Sequence, residues 1–215
     1  MSKWSMMPLG KVVTIKGGGT PSKGNRAYWG GDIPWVSPKD MKTDQVSSSL
    51  DTITEEGVAN SSVSVIPQGS VLLVVRSGIL SRTIPISIAG TALTINQDLK
   101  ALIPSDKLLP EFLYYFLKSC ESSLLQRVTR SATVHRLTSD IIKNLPIPVP
   151  EITEQERIVA ILDDLRAETS RLESIYHQKL SALIELRESL LQKAFHGELT
   201  ADRADAHDRV NAPLA

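Results

Sequence analysis

The chain has 215 residues, 41% of them hydrophobic and 22% charged, with 24 basic against 24 acidic side chains. That length holds one sizeable core, or one domain with an appendage, and no apolar run approaches the ~18 residues that cross a bilayer. A lone cysteine, Cys120, excludes an internal disulfide or a cysteine-built metal cluster, and Met1–Pro8 lacks the apolar stretch of a secretory signal, so a cytoplasmic protein is expected.

Up to Pro150 the pattern reads as strands and turns, followed by short helices. Val12–Ile15 predicts a short strand ending at Gly17-Gly18-Gly19, and Ile33–Ser37 predicts a second. Trp29 and Trp35 read as packing residues rather than base-stacking ones. Ser70–Arg76, β-branched and entered through Pro67-Gln68-Gly69, is the strongest strand signal. Ile84–Ala89, Thr91–Ile95 and Leu99–Pro104 complete the group. Pro110 opens a helix at a position where proline is tolerated, running to Leu125 or Val128 with Cys120 half-buried in it. Thr138-Ser139-Asp140 caps a short helix that stops before Pro146. Leu145–Pro150 alternates apolar residues with prolines, so it reads as an edge strand or linker that marks a domain boundary.

From Thr153 the character changes. Thr153-Glu154-Gln155-Glu156 has the form of a capping box, and no proline or glycine follows until Gly197. The helix so predicted is about 65 Å long at ~1.5 Å per residue. Alternating steps of four and three visit Ile158, Leu162, Leu165, Thr169, Leu172, Tyr176, Lys179, Leu183, Leu186 and Leu190, a coiled-coil seam with two polar positions. The alternative is a long helix packed back on its own domain. Residues 200–215 are expected to be a disordered tail.

The neutral total hides an asymmetry: residues 1–150 carry 16 basic and 11 acidic side chains, the remainder 8 and 13. No acid lies between Gly57 and Gln97, where Arg76 and Arg82 sit, nor between Ser122 and Ser139, where Arg127, Arg130, His135 and Arg136 sit. Acid-free segments rich in arginine and hydroxyls suit a phosphate-facing surface, although ordinary hydroxyl-rich loops share that composition. Catalytic patterns are missing. Gly24 is followed by Asn25, not by the Lys-Ser/Thr of a phosphate loop. No histidine stands beside a second ligand at metal spacing, and Ser77 lacks the upstream glycine of a nucleophile elbow.

Several segments resemble one family. Gly17–Ser22, Tyr28–Val36, Pro67–Leu73, Arg76-Ser77-Gly78, Asn96–Leu99 and Leu145–Ile158 look like the ordered motifs of a type I restriction–modification specificity subunit. The resemblance implies an α+β fold: a β-rich target-recognition domain over residues 1–150, then a conserved long helix over 151–199 that serves as spacer and docking element. Such subunits resemble two of these units in tandem, whereas this sequence holds one. The expected arrangement is therefore a homodimer joined by an antiparallel coiled coil, reading a bipartite, palindromic target. Seam residues Ile158, Leu162, Leu165, Leu172, Tyr176, Leu183, Leu186 and Leu190 would hold it together.

The implied partners are double-stranded DNA, methyltransferase subunits and, in a restricting complex, a nuclease subunit. The chain itself is expected to be non-catalytic and to bind no cofactor, the methyltransferase using S-adenosylmethionine. Arg76, Arg82, Arg127, Arg130 and Arg136 are the first candidates for DNA contact, then Lys23, Arg26 and Lys39, with Ser77, Ser131, Thr133 and His135 as further polar contacts. The competing reading is a module for a non-DNA ligand or a protein, carrying a coiled-coil oligomeriser.

Overall fold

In the computed structural model, which describes residues 4–131 and 134–198, the β-branched runs become strands and the late periodic stretch becomes one helix. The order is β1 (Met6–Pro8), β2 (Val13–Gly17), β3 (Trp29–Val36), β4 (Gln45–Val46), β5 (Asp51–Ile53), α1 (Glu55–Ala59), β6 (Val71–Val74), β7 (Arg76–Ser77), β8 (Ile86–Ala89), β9 (Thr94–Ile95), β10 (Leu99–Pro104), α2 (Pro110–Ser119), α3 (Glu121–Gln126), β11 (His135–Arg136), α4 (Ser139–Lys143), β12 (Pro146–Pro148) and α5 (Ile152–Phe195).

β6 sits at the centre of a five-stranded sheet ordered β2-β10-β6-β8-β4. Val71, Leu72, Leu73 and Val74 are all buried, because neighbouring strands flank β6 and α2 packs over the sheet. An unbroken apolar run is what a strand covered on both faces requires. β3 carries a second sheet, ordered β5-β3-β9, with Trp35, Ile53 and Val63 as its small core. Trp29 and Trp35 meet edge to face at 5.1 Å, as packing residues do.

The predicted strand Ser70–Arg76 is divided. It leaves the main sheet at Val75, whose N–H donates to the Asp98 carbonyl at 2.8 Å, and β7 then joins a separate two-stranded sheet with β11. The predicted helix from Pro110 also breaks, at Cys120, where φ −88° and ψ −4° close α2. The break presents Glu121, which accepts from the Thr83 hydroxyl at 2.5 Å and the Ile84 N–H at 2.9 Å. The proline-rich segment is an edge strand: β12 pairs antiparallel with β1, Met7 opposite Ile147.

α5 starts one residue before Thr153, which therefore lies inside the first turn instead of capping it. The N–H groups of Glu154 and Gln155 both donate to the Glu151 carbonyl at 3.0 Å and close the turn there. Gln155 is fully buried: its Oε1 accepts from the Leu109 N–H at 2.9 Å, and its Nε2 donates to the Lys107 and Pro150 carbonyls at 2.8 Å each. The chain divides inside α5, between Ala160 and Ile161, into two compact units. Ile158, expected in the seam, belongs to the first unit and packs half-buried against its core. Within the second unit Leu165, Leu172, Tyr176, Leu183, Leu186 and Leu190 are all exposed. Gly197, at φ +77°, follows the helix end as predicted, and the tail expected to be disordered lies outside the described residues. No helix among the described residues is long and apolar enough to cross a membrane.

One glycine is fixed by close approach. A Cβ on Gly18 would stand 2.0 Å from the Asn96 carbonyl oxygen and 2.2 Å from that of Ile95. Backbone cannot yield as a side-chain end does, so Gly18→Ala is expected to cost about 1–3 kcal/mol, read as a lower urea midpoint with an unchanged m-value.

Candidate nucleic-acid interface

The two acid-free segments, far apart in sequence, meet in space. β7 and β11 pair antiparallel, with Ser77 opposite His135 and Arg76 opposite Arg136. Arg136 also exchanges two backbone hydrogen bonds with Thr129, at 2.9 and 3.0 Å, closing a hairpin whose loop holds Arg130 and Ser131. Ser131 braces that loop by donating to the Val134 carbonyl and accepting from the Val134 N–H. A 3-10 turn, Gly78–Ser81, packs beside β11 and carries Arg82 at its end. Arg127 closes α3 and is exposed. His135 is half-buried, and its Nδ1 has no hydrogen-bond partner among the described residues. Thr133 lies outside the described residues.

Arg76 has a partner that its acid-free neighbourhood in sequence does not reveal. Its Nε donates to Asp98 Oδ1 at 2.6 Å, with 40% of the arginine side chain and 23% of the aspartate exposed. Asp98 is itself held fast. Its N–H donates to Asn96 Oδ1 at 2.9 Å, its Oδ2 accepts from Asn96 Nδ2 at 3.3 Å, and its carbonyl accepts from the Val75 and Arg76 N–H groups.

Beside this pair opens a cleft of about 650 Å³, walled by Thr20, Lys23, Trp35, Ser37, Lys39, Asp51, Ser77 and Asn96-Gln97-Asp98. The Gly17–Ser22 motif reaches it because Gly19 donates to Ile95 at 3.0 Å and accepts from Trp35 Nε1 at 2.9 Å. Thr20 then donates to the Gln97 side chain. Lys23, Lys39 and Ser77 thus share one cleft, whereas Arg26 sits on a separate 3-10 turn packed against α1. Thr20, Ser37, Asp51, Asn96, Gln97 and Asp98 were not among the residues singled out from sequence. The usable signal was position: most of them fall inside or next to the family motifs.

Among the described residues no group of three or more His, Cys, Asp or Glu could hold a metal ion. Burial pushes the Cys120 thiol up from its ordinary value, away from the thiolate a nucleophile needs.

Residues 1–182 match the family model described as the type I restriction modification DNA specificity domain. The chain belongs to that family. The chain is 41% identical over 182 residues to the EcoR124I/EcoR124II specificity subunit of Escherichia coli, covering 84% of this chain and 44% of that protein. It is 34% identical over 169 residues to the MjaIX specificity subunit of Methanocaldococcus jannaschii, covering 75% and 38%. Among solved structures it resembles the HsdS subunit of Thermoanaerobacter tengcongensis, with a TM-score of 0.63, 26% identity and coverage of 80% and 40%. It also resembles a chain from a study of complex assembly and conformational transition in a type I R-M system, with a TM-score of 0.72, 27% identity and coverage of 91% and 46%. The chain therefore spans less than half the length of these relatives.

Proposed function

We propose that this chain supplies one recognition domain and one long helix of a specificity subunit, reads DNA and directs methyltransferase subunits to a bipartite, palindromic target. The observation that carries the reading is the β7–β11 pairing, which gathers arginines from both acid-free segments onto one part of a specificity domain. Arg76, Arg82, Arg127, Arg130 and Arg136, with Lys23 and Lys39 in the adjoining cleft, supply the cationic surface that duplex DNA requires. Arg26 is a peripheral phosphate contact. The chain catalyses nothing. S-adenosylmethionine belongs to the methyltransferase, and a nuclease subunit joins when the complex restricts. The assembly works in the cytoplasm, where its DNA lies.

The second half of the target is read by a second copy. What supports this is the self-complementarity of the seam, exposed at all but half-buried Leu162 among the positions paired below. Turned end for end about Ser174, Leu162 falls opposite Leu186, Leu165 opposite Leu183, Thr169 opposite Lys179 and Leu172 opposite Tyr176. Residues 152–173 carry six carboxylates and three arginines, and residues 174–195 carry three cations and two carboxylates. Antiparallel pairing sets the acidic half against the basic one, and parallel pairing does not. Thr169 already donates to the Leu165 carbonyl at 2.8 Å, so its hydroxyl enters the interface satisfied.

The test is a methylome. Cells carrying the gene and its methyltransferase should show methylated adenines in an interrupted palindrome that disappear on deletion of this gene alone. A methylome unchanged by the deletion would remove the proposal. In vitro, affinity for the modified sequence should fall steeply with salt, with a log–log slope of about −0.9 per phosphate contacted.

A further inference from the structure

We infer that Arg76 reads a guanine and that Asp98 is the positioning residue that aims it; the inference rests on the DNA-reading function proposed above. The guanidinium is fixed through Nε by Asp98 Oδ1 at 2.6 Å. Neither Nη1 nor Nη2 has an acceptor among the described residues. The fork left over is two parallel N–H donors, and in the major groove the base offering two adjacent acceptors, O6 and N7, is guanine.

Two features favour a base over a phosphate. Asp98 neutralises much of the charge that would draw Arg76 to a phosphate, and its own carboxylate would repel one. Asp98 is braced by Asn96 and by the backbone of Val75 and Arg76, so the arginine is oriented before DNA arrives. Orientation matters for reading a base edge and little for neutralising a backbone. By contrast, among the described residues no carboxylate is ion-paired with Arg82, Arg127, Arg130 or Arg136.

The experiment selects duplexes from a randomised pool with the full-length chain and sequences those bound. The wild-type chain should enrich a guanine at one position of each half-site. Arg76→Lys, which keeps the charge and loses the fork, should lose that preference by about ten- to a hundred-fold, with every other position and the salt slope unchanged. Asp98→Asn should weaken the same position alone; a merely structural role would lower all positions together, along with thermal stability. A selection profile for Arg76→Lys that matches the wild type, or a uniform loss across positions in both variants, overturns the inference while leaving DNA reading intact. A wild-type chain that enriches no sequence overturns both.

Discussion

Replacing Leu165 and Leu183 together with aspartate is expected to turn a dimer into a monomer, raising the dissociation constant more than a thousand-fold. Both leucines are largely exposed in the single chain, at 61% and 62%, so in the proposed dimer their burial would come from the second copy, and their loss leaves the recognition unit untouched. Burying a leucine stabilises by about 1.5–3 kcal/mol, and a symmetric dimer loses four of them. The aspartates also face one another across the antiparallel seam, adding the cost of like charges in a low-dielectric contact. Sedimentation at micromolar concentration reads the result. The swap Leu165→Asp with Leu183→Lys separates the two orientations. Antiparallel helices bring each aspartate to a lysine and regain part of the affinity, whereas parallel ones pair like with like. A sedimenting monomer in the wild-type chain would remove the homodimer altogether.

The sequence patterns that proved informative are those where one local constraint dominates. The β-branched run of β6, entered through Pro67-Gln68-Gly69, marks a covered strand, and the four-three periodic stretch free of glycine and proline up to Gly197 marks a long helix. Elements decided by tertiary contact were illegible. β4, β5 and β11 are two or three residues long, too short for any period to register. The departure of β7 from β6 depends on the Asp98 carbonyl, and the break at Cys120 coincides with the clasp on Glu121; neither leaves a local mark. The candidate interface was half legible for the same reason. Acid-free composition pointed to Arg76 and Arg136 but could not show them adjacent. The same criterion hid Asp98, since it closes a segment chosen for having no acids. Ile158 obeyed the seam period and yet packs on its own unit, because periodicity records an apolar face without recording what covers it.

Gln155→Leu is expected to destabilise the recognition unit by about 3 kcal/mol and to do so without altering its oligomeric state. The amide is wholly buried and satisfies three backbone groups at once: the Leu109 N–H and the carbonyls of Lys107 and Pro150. A leucine of similar volume keeps the packing but leaves all three without partners, each worth roughly 1 kcal/mol or more when stranded away from water. The measurement is the urea midpoint of the full chain, followed by a probe that reports the sheet. The bonds join the turn before α2, the end of the β12 segment and the first turn of α5. Gln155 thereby fixes the start of the long helix within the recognition unit; if that helix is the spacer of the proposed function, it can set a distance only with its origin so fixed. The variant should accordingly loosen the spacing at which two half-sites are tolerated as well as lowering stability. If Gln155→Leu unfolds at the wild-type midpoint and keeps a single half-site spacing, the amide clasp is not what anchors the helix.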